Sequence, residues 1–272
     1  MRHPRIDYRP VARRKAGRCR SRHPRRHPAQ PDGGRFRHRA RSQGDGRNPE
    51  STMSRSGKDP GKRVKTARKR SASSTRWLER QLNDPYVKQA KADGYRSRAA
   101  YKLIELDGKF GILKGASRVV DLGIAPGGWA QVVRKVRPKA GIVGIDLLET
   151  EPIEGVTILQ MDFMADEAPA GLEAALDGPP DLVMSDMAAN TVGHKQTDHL
   201  RTMGLVEAAA WFAIETLEEG GTFLAKVLAG GTDNDLLKLL KSHFKTVKHA
   251  KPPASRKGSS EWYVVAQGFK GR

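Results

Sequence analysis

A lysine stands where a buried strand has little use for one. Lys226 lies inside the run FLAKVLAG, whose apolar neighbours predict a strand covered on both faces. The run LVMSDMAAN brings Asp186 to the equivalent end of a neighbouring predicted strand. In parallel sheets, ligands bind beyond the carboxyl ends of the strands. An amine and a carboxylate side by side there can steer a nucleophile or take its proton. Lys102 and Glu261, taken singly, carry no such signal, since lone charged residues are usually solvated surface.

A second group sits in DLGIAPGGW, Asp121 to Trp129. Gly123, Gly127 and Gly128 allow a sharp turn with close approach of a ligand, and Pro126 stiffens it. A helix that starts here offers free N–H groups to a polar ligand. The spacing fits neither G-x-G-x-x-G nor G-x-x-x-x-G-K-[ST], which disfavours a dinucleotide-dependent dehydrogenase and a phosphate-loop enzyme. Asp146 in GIDLL is suited to paired ribose hydroxyls, and Asp162 in MDF to an adenine amino group. Asp121, Asp146 and Asp162, expected in register at three consecutive strand ends, point to a nucleoside-containing cofactor.

The elements that must position these groups follow from periodicity. Order is expected from about Ser74, with Ser73, Ser74 and Thr75 offering N-cap oxygens to a helix that Pro85 interrupts and Gly94 ends. A second helix, SRAAYKLIELDGKFG, shows Ala100, Leu103, Ile104 and Leu106 on its apolar side. Then SRVVDLG, AGIVGIDLL, VTILQMDF, PDLVMSDMA and GTFLAKVLAG read as strands. They alternate with the helices GGWAQVVRKV, APAGLEAALDG and a long one from about Thr197 to Glu219. DNDLLKLLKSHF is a last helix, and TVKHAK and WYVVAQGF make a closing pair of strands. The pattern is that of an α/β, doubly wound, mainly parallel seven-stranded sheet with helices on both faces.

Of 272 residues, 50 are Lys or Arg and 30 Asp or Glu, a net charge of +20 that favours polyanionic partners. Residues 1–52 hold fifteen Arg and one Lys against Asp7, Asp32, Asp45 and Glu50, which makes +12 and leaves +8 for the rest. With almost no aliphatic residues, this segment is expected to be disordered. It has two readings: an arginine-rich RNA-binding arm, or a translated leader upstream of a true start at Met53. The second is preferred, and an intact mass of the native protein that includes residues 1–52 would refute it. Residues 53–73 are expected to be a flexible basic arm that neutralises phosphates, and residues 74–272 the folded domain. A single cysteine, Cys19, rules out an intramolecular disulfide and suits a reducing, cytoplasmic compartment. No run approaches the ~18 apolar residues of a membrane span. His194 and His199 have no partner ligands at metal spacing, so no metal is expected.

From Ser74 to Gly268 the chain resembles the FtsJ (RrmJ, RlmE) family of ribose 2′-O-methyltransferases. The resemblance is carried by SSTRWLERQLNDPYVKQAKADGYRSRAAYKL, VVDLGIAPGGWAQVV, GIDLL, VMSDMAAN, AKV and ASRKGSSEWYVVA. It implies a Rossmann-like fold that uses S-adenosylmethionine. It also implies a Lys–Asp–Lys–Glu tetrad, here Lys102, Asp186, Lys226 and Glu261, and cofactor contacts at Gly127, Trp129, Asp146, Asp162 and Asp186. Trp129 also has the plainer reading of an aromatic filling a sheet–helix seam. Ala189 stands where the family often has Pro, which changes loop stiffness beside Asp186 but removes no reacting group.

A ribose hydroxyl is a poor nucleophile, so such an enzyme must align it and relieve it of its proton. Lys226 is the candidate base. A free lysine, with a pKa near ~10.4, is protonated at neutral pH, and Lys102, the donor's own positive charge and burial are expected to oppose that. In the alternative, Lys226 stays charged and stabilises developing oxyanion character while water takes the proton. A ribose-directed reaction selects RNA over DNA, and Arg256 and Lys257 in KPPASRKGSS would face it. The resemblance further implies a monomer acting on a uridine of large-subunit ribosomal RNA in the assembled subunit. Transfer RNA, or a non-catalytic role in ribosome assembly, stands as the alternative.

Overall fold

Apolar runs alternating with amphipathic stretches become, in the computed structural model, the elements their periods predict. The structure describes residues 66, 71–189, 193–228 and 234–272, all within one compact unit, Lys58–Arg272. The expected leader, 1–52, and most of the expected arm, 53–73, lie outside the described residues.

Seven strands form one sheet: β1 (Arg118–Leu122), β2 (Gly141–Asp146), β3 (Val156–Gln160), β4 (Leu182–Ser185), β5 (Thr222–Leu228), β6 (Phe244–Ala250) and β7 (Glu261–Phe269). Their order is β3-β2-β1-β4-β5-β7-β6. The first five are parallel, and β7 runs antiparallel between β5 and β6. From β1 the chain winds first outward through β2 and β3, then back to β4. The crevice between β1 and β4 is therefore the topological switch point, where such sheets bind ligands.

The helices are α1 (Ala72–Asn83), α2 (Pro85–Ala92), α3 (Ala99–Phe110), α4 (Gly128–Val136), α5 (Ala168–Ala175), α6 (Lys195–Thr216) and α7 (Asn234–His243). Strand residues alternate between faces. Val119, Ile142, Leu224 and Val265 pack with Leu103 and Leu106 of α3 and Val132 and Val133 of α4. Val120, Val183, Phe223 and Val264 pack on the other face with Leu172 of α5, Phe212 of α6 and Leu240 of α7.

Three expectations need correction. The cap of α1 is Ser71, whose hydroxyl accepts from the Ser74 N–H at 3.2 Å, so Ser73–Thr75 fall inside the first turn. Ile104 is 37% exposed, because Tyr101 takes the buried place on α3 beside Ala100, Leu103 and Leu106. The long helix ends at Thr216, and Leu217 leaves it with non-helical backbone and buries its side chain in the core. Asp84 serves both first helices: it follows the last turn of α1 and caps α2 by accepting from the Tyr86 N–H at 3.0 Å.

Candidate active site

The turn after β1 is built almost wholly from backbone. Gly123 has φ +82°, and a Cβ there would lie 2.8 Å from the Met187 side chain and 3.0 Å from its backbone nitrogen. Gly127 has φ +103°, and a Cβ there would meet Ile153 at 2.5 Å. Neither position admits a side chain. Asp146, closing β2, ties this turn to the next: one oxygen accepts from the Ala125 N–H and the other from the Leu148 N–H, each at 2.9 Å. Asp162, two residues past β3, accepts from the Met164 N–H at 2.9 Å in the same manner. Each carboxylate keeps lone pairs for further donors. A cavity of about 510 Å³ opens here, lined by Gly123, Asp146, Leu148, Asp162, Met164 and Asp186 among others.

Asp121 does not stand in register with the other two acids. It pairs with Gly144, two residues before Asp146, and lies inside β1 at 1% exposure. Neither of its carboxylate oxygens has a hydrogen-bond partner. Burial, then the charges of Asp186 and Asp146, push its carboxyl up to about 8. Burial and the two neighbouring acids therefore keep the Asp121 carboxyl protonated at neutral pH.

Trp129 is 3% exposed, its indole N–H bonds the Ala99 carbonyl at 2.9 Å, and its ring centroid lies 5.9 Å from that of Tyr263. The ring thus fills the seam between α3, α4 and the sheet. What Trp129 retains for a ligand is its backbone N–H in the first turn of α4, where no intrahelical acceptor exists. Gly127, the N-cap, spends its own N–H on the Ile124 carbonyl at 2.6 Å, and neither residue lines the cavity.

Four residues expected from separate segments meet at the rim of this crevice. Lys226, 8% exposed, lies near the end of β5. Its Nζ donates to the Asp186 backbone carbonyl and lies 3.2 Å from Asp186 Oδ1. Lys102 on α3 reaches in from the opposite side, its Nζ 2.9 Å from Glu261 Oε2 and 3.7 Å from Asp186 Oδ2. Asp186 is therefore shared by both amines. Burial pushes its carboxyl up, but Lys226, Lys102 and the Tyr263 hydroxyl outweigh that and hold it below the usual carboxylate range.

Tyr263 was not among the expected site residues. Its hydroxyl donates to Asp186 Oδ1 at 2.8 Å, and burial followed by the charges of Asp186 and Glu261 pushes the phenol well above its ordinary range. It therefore keeps its proton and acts as a fixed donor. The signal was available: Tyr263 follows Glu261 by two on β7, hence on the same face, and pairs with Lys226. Arg96 was also missed. Its guanidinium donates to the carbonyls of Glu151 (2.6 Å), Pro152 (2.8 Å) and Pro126 (3.3 Å), clamping the glycine-rich turn to the β2–β3 connection. Arg256, expected to face nucleic acid, lies 3.4 Å from Asp84 and is partly engaged there, while Lys257 is exposed. His194 caps α6, its Nδ1 2.9 Å from Thr197 Oγ1. Among the described residues no group of three or more His, Cys, Asp or Glu could hold a metal ion, and no helix is long and apolar enough to cross a membrane.

A parallel sheet ending in one inserted antiparallel strand, with its ligand crevice at the switch point, is the architecture of α/β methyltransferases. The amines and acids gathered on the crevice rim suit that chemistry. A family model described as FtsJ-like methyltransferase matches residues 95–269, well over half of the chain, and the chain belongs to that family. It is 78% identical over 220 residues to a protein of Novosphingobium aromaticivorans named ribosomal RNA large subunit methyltransferase E, covering 81% of this chain and 99% of that one. A protein of the same name from Zymomonas mobilis is 71% identical over 215 residues, covering 79% and 97%. A crystal structure described as a ribosomal RNA methyltransferase from Plasmodium falciparum superposes with a TM-score of 0.59 at 35% identity, covering 65% of this chain and all of that one.

Proposed function

We propose that this methyltransferase uses S-adenosylmethionine to methylate the 2′-hydroxyl of a uridine in large-subunit ribosomal RNA, within the assembled subunit. The observation that carries the reading is the meeting of Lys102, Asp186, Lys226 and Glu261 at the crevice rim, with Asp186 also lining the cavity. The names of the relatives favour ribosomal RNA as the substrate.

The crevice fits the proposed donor in three respects. Gly123 lines the cavity with bare backbone. Asp146 and Asp162 offer carboxylate oxygens to ribose hydroxyls and an adenine amine. The Asp146 and Asp186 carboxylates on the cavity lining favour a cation. When bound, S-adenosylmethionine supplies an already activated methyl group. The chain's own part is to align the acceptor oxygen and manage its proton. In its neutral form Lys226 can spend both N–H bonds on Asp186, one on the backbone carbonyl and one on Oδ1, which leaves the nitrogen lone pair for the proton of an acceptor hydroxyl. Lys226 takes the proton there, while Lys102 and Glu261 fix the far side of Asp186. Trp129 contributes a backbone N–H at the start of α4, and Gly127 bare backbone beside it. The reading makes the enzyme a metal-free cytoplasmic monomer, with the basic stretch 53–73 resting against RNA phosphates and residues 74–272 as the catalytic domain.

The test is methylation of purified large subunits, deproteinised large-subunit RNA and transfer RNA with labelled donor, followed by nucleoside mass spectrometry. The expected product is 2′-O-methyluridine from the assembled subunit. A base-methylated product, or label confined to transfer RNA, would overturn the assignment.

A further inference from the structure

Glu261 is gripped on both oxygens, and only one of the two partners belongs to the tetrad. Oε2 faces Lys102, while Oε1 accepts the Ser255 hydroxyl at 2.7 Å. Ser255 lies in the connection between β6 and β7 at 4% exposure, an unusual depth for a loop hydroxyl. Its own N–H bonds the Pro252 carbonyl at 2.8 Å, closing a turn that points the side chain inward.

That turn is fastened to the helices on the other side of the site. The Ala254 N–H donates to Glu105 Oε2 at 2.6 Å, and the Ala254 carbonyl accepts from Arg98. Glu105 is in turn held by the Tyr86 hydroxyl at 2.9 Å. Arg98 and Arg256 share Asp84, the buried cap of α2. Ser255 is thus set by α2 and α3, the same layer that carries Lys102.

The torsion that orients a glutamate carboxylate is broad and roughly two-fold, so a single contact does not fix its plane. One partner on each oxygen does. We propose that Ser255 is a positioning residue: its hydroxyl sets the carboxylate plane of Glu261 and, through Glu261, the place of the Lys102 amine beside Asp186. The assignment rests on the proposed methyl transfer at this site and adds to it a residue outside the tetrad. Displacement of a positioning group by about 1 Å can cost on the order of 100-fold in rate.

The test is a cycle of Ser255→Ala, Glu261→Gln and the double variant, assayed for methyl transfer to large subunits under saturating and limiting substrate. Ser255→Ala is expected to lower kcat by about 10- to 100-fold. KM for RNA and for donor should stay within about threefold, because Ser255 touches neither. Ser255→Thr, which keeps the hydroxyl, should recover part of the loss. The double variant should be no slower than Glu261→Gln alone, since residues acting as one unit are not additive. Unchanged kcat in Ser255→Ala beside a crippled Glu261→Gln would overturn the role of Ser255 and leave the site intact. Independent, multiplying losses would do the same. A fully active Glu261→Gln would instead bring down the reading of the site. Should Ser255→Ala fail to fold, Ser255→Cys keeps the volume with a weaker donor and reads the same rate.

Discussion

The two walls of the crevice are made in different ways. On the β1–β2–β3 side, the cavity-lining acids are held by their own neighbourhood: Asp146 by backbone N–H groups of two adjacent turns, Asp162 by the residue two further on. On the β4–β5–β7 side, no residue is held locally. Asp186, Lys226, Lys102, Glu261 and Tyr263 come from β7, α3 and two strand ends, and each is fixed by another member. A wall made of local turns should lose function by degrees when one piece is removed. A wall made of mutual contacts should fail together, since one deletion leaves a buried charge without its partner.

The largest effect is expected at Lys226. Lys226→Ala should reduce methyl transfer by about 1,000-fold or more, in line with loss of a general base. Donor affinity measured by calorimetry should change little. Lys226→Arg discriminates between the two proton schemes, because a guanidinium stays charged throughout the accessible pH range. If Lys226 takes the proton, the arginine variant should be as inactive as the alanine one, and wild-type kcat should rise with pH to a plateau. Substantial activity in Lys226→Arg would leave Lys226 a purely electrostatic role.

On the other wall, Asp146→Ala should weaken donor binding by about 100-fold, the loss of hydrogen bonds to a charged acceptor together with release of the Ala125 and Leu148 turns. Activity at saturating donor should fall much less. An unaltered affinity would remove Asp146 from the ribose assignment and blur the contrast between the walls. Arg96→Ala should give a smaller loss of about tenfold in donor affinity with kcat preserved, because it frees the Pro126 carbonyl without removing a ligand contact. Arg96→Lys cannot span three carbonyls from one planar group and should restore little. A drop in kcat instead would place Arg96 with the catalytic wall.

The same contrast explains what could be read from the sequence. Strand and helix periods gave every element of the parallel sheet, and the glycine-rich turn was legible because its parts are contiguous. Lys226 was legible singly, as an amine in an apolar strand. Lys102 and Glu261 were not: on their own helix and strand they look like surface charges, and only the family resemblance joined them. Tyr263, Arg96 and the stagger of Asp121 depend on inter-strand register and on packing between α3, α4 and the turn, neither of which local periodicity encodes. Trp129 shows the reverse case, where a residue of the glycine-rich segment spends its side chain on the core.

Asp121 and Asp186 sharpen the comparison to two carboxylates on neighbouring strands, whose effects are read in stability and its pH dependence. Asp121 is buried and Asp186 half-buried, but Asp186 has two amines and a phenol, and Asp121 has no hydrogen-bond partner on either oxygen and two acids nearby. A carboxyl raised by folding to about 8 is protonated in the native state at neutral pH and ionised in the unfolded one. Below the unfolded value, both states carry the proton and nothing is lost. As pH rises from about 4 to about 8 the unfolded state is progressively favoured, by at most about 5 kcal/mol. Asp121→Asn keeps the shape, cannot ionise and should flatten that decline. Its melting temperature should match wild type near pH 4 and exceed it by up to about 10–20 °C near pH 8. For Asp186, held below its ordinary range, the sign reverses: its contribution is present at neutral pH and fades as acid protonates it, so Asp186→Asn should lower stability most near neutrality and least in acid. Thermal unfolding of both variants across this range distinguishes the cases. An Asp121→Asn offset that did not vary with pH would mean that its carboxyl is already ionised in the native fold, and that the turn tolerates three negative charges without a ligand.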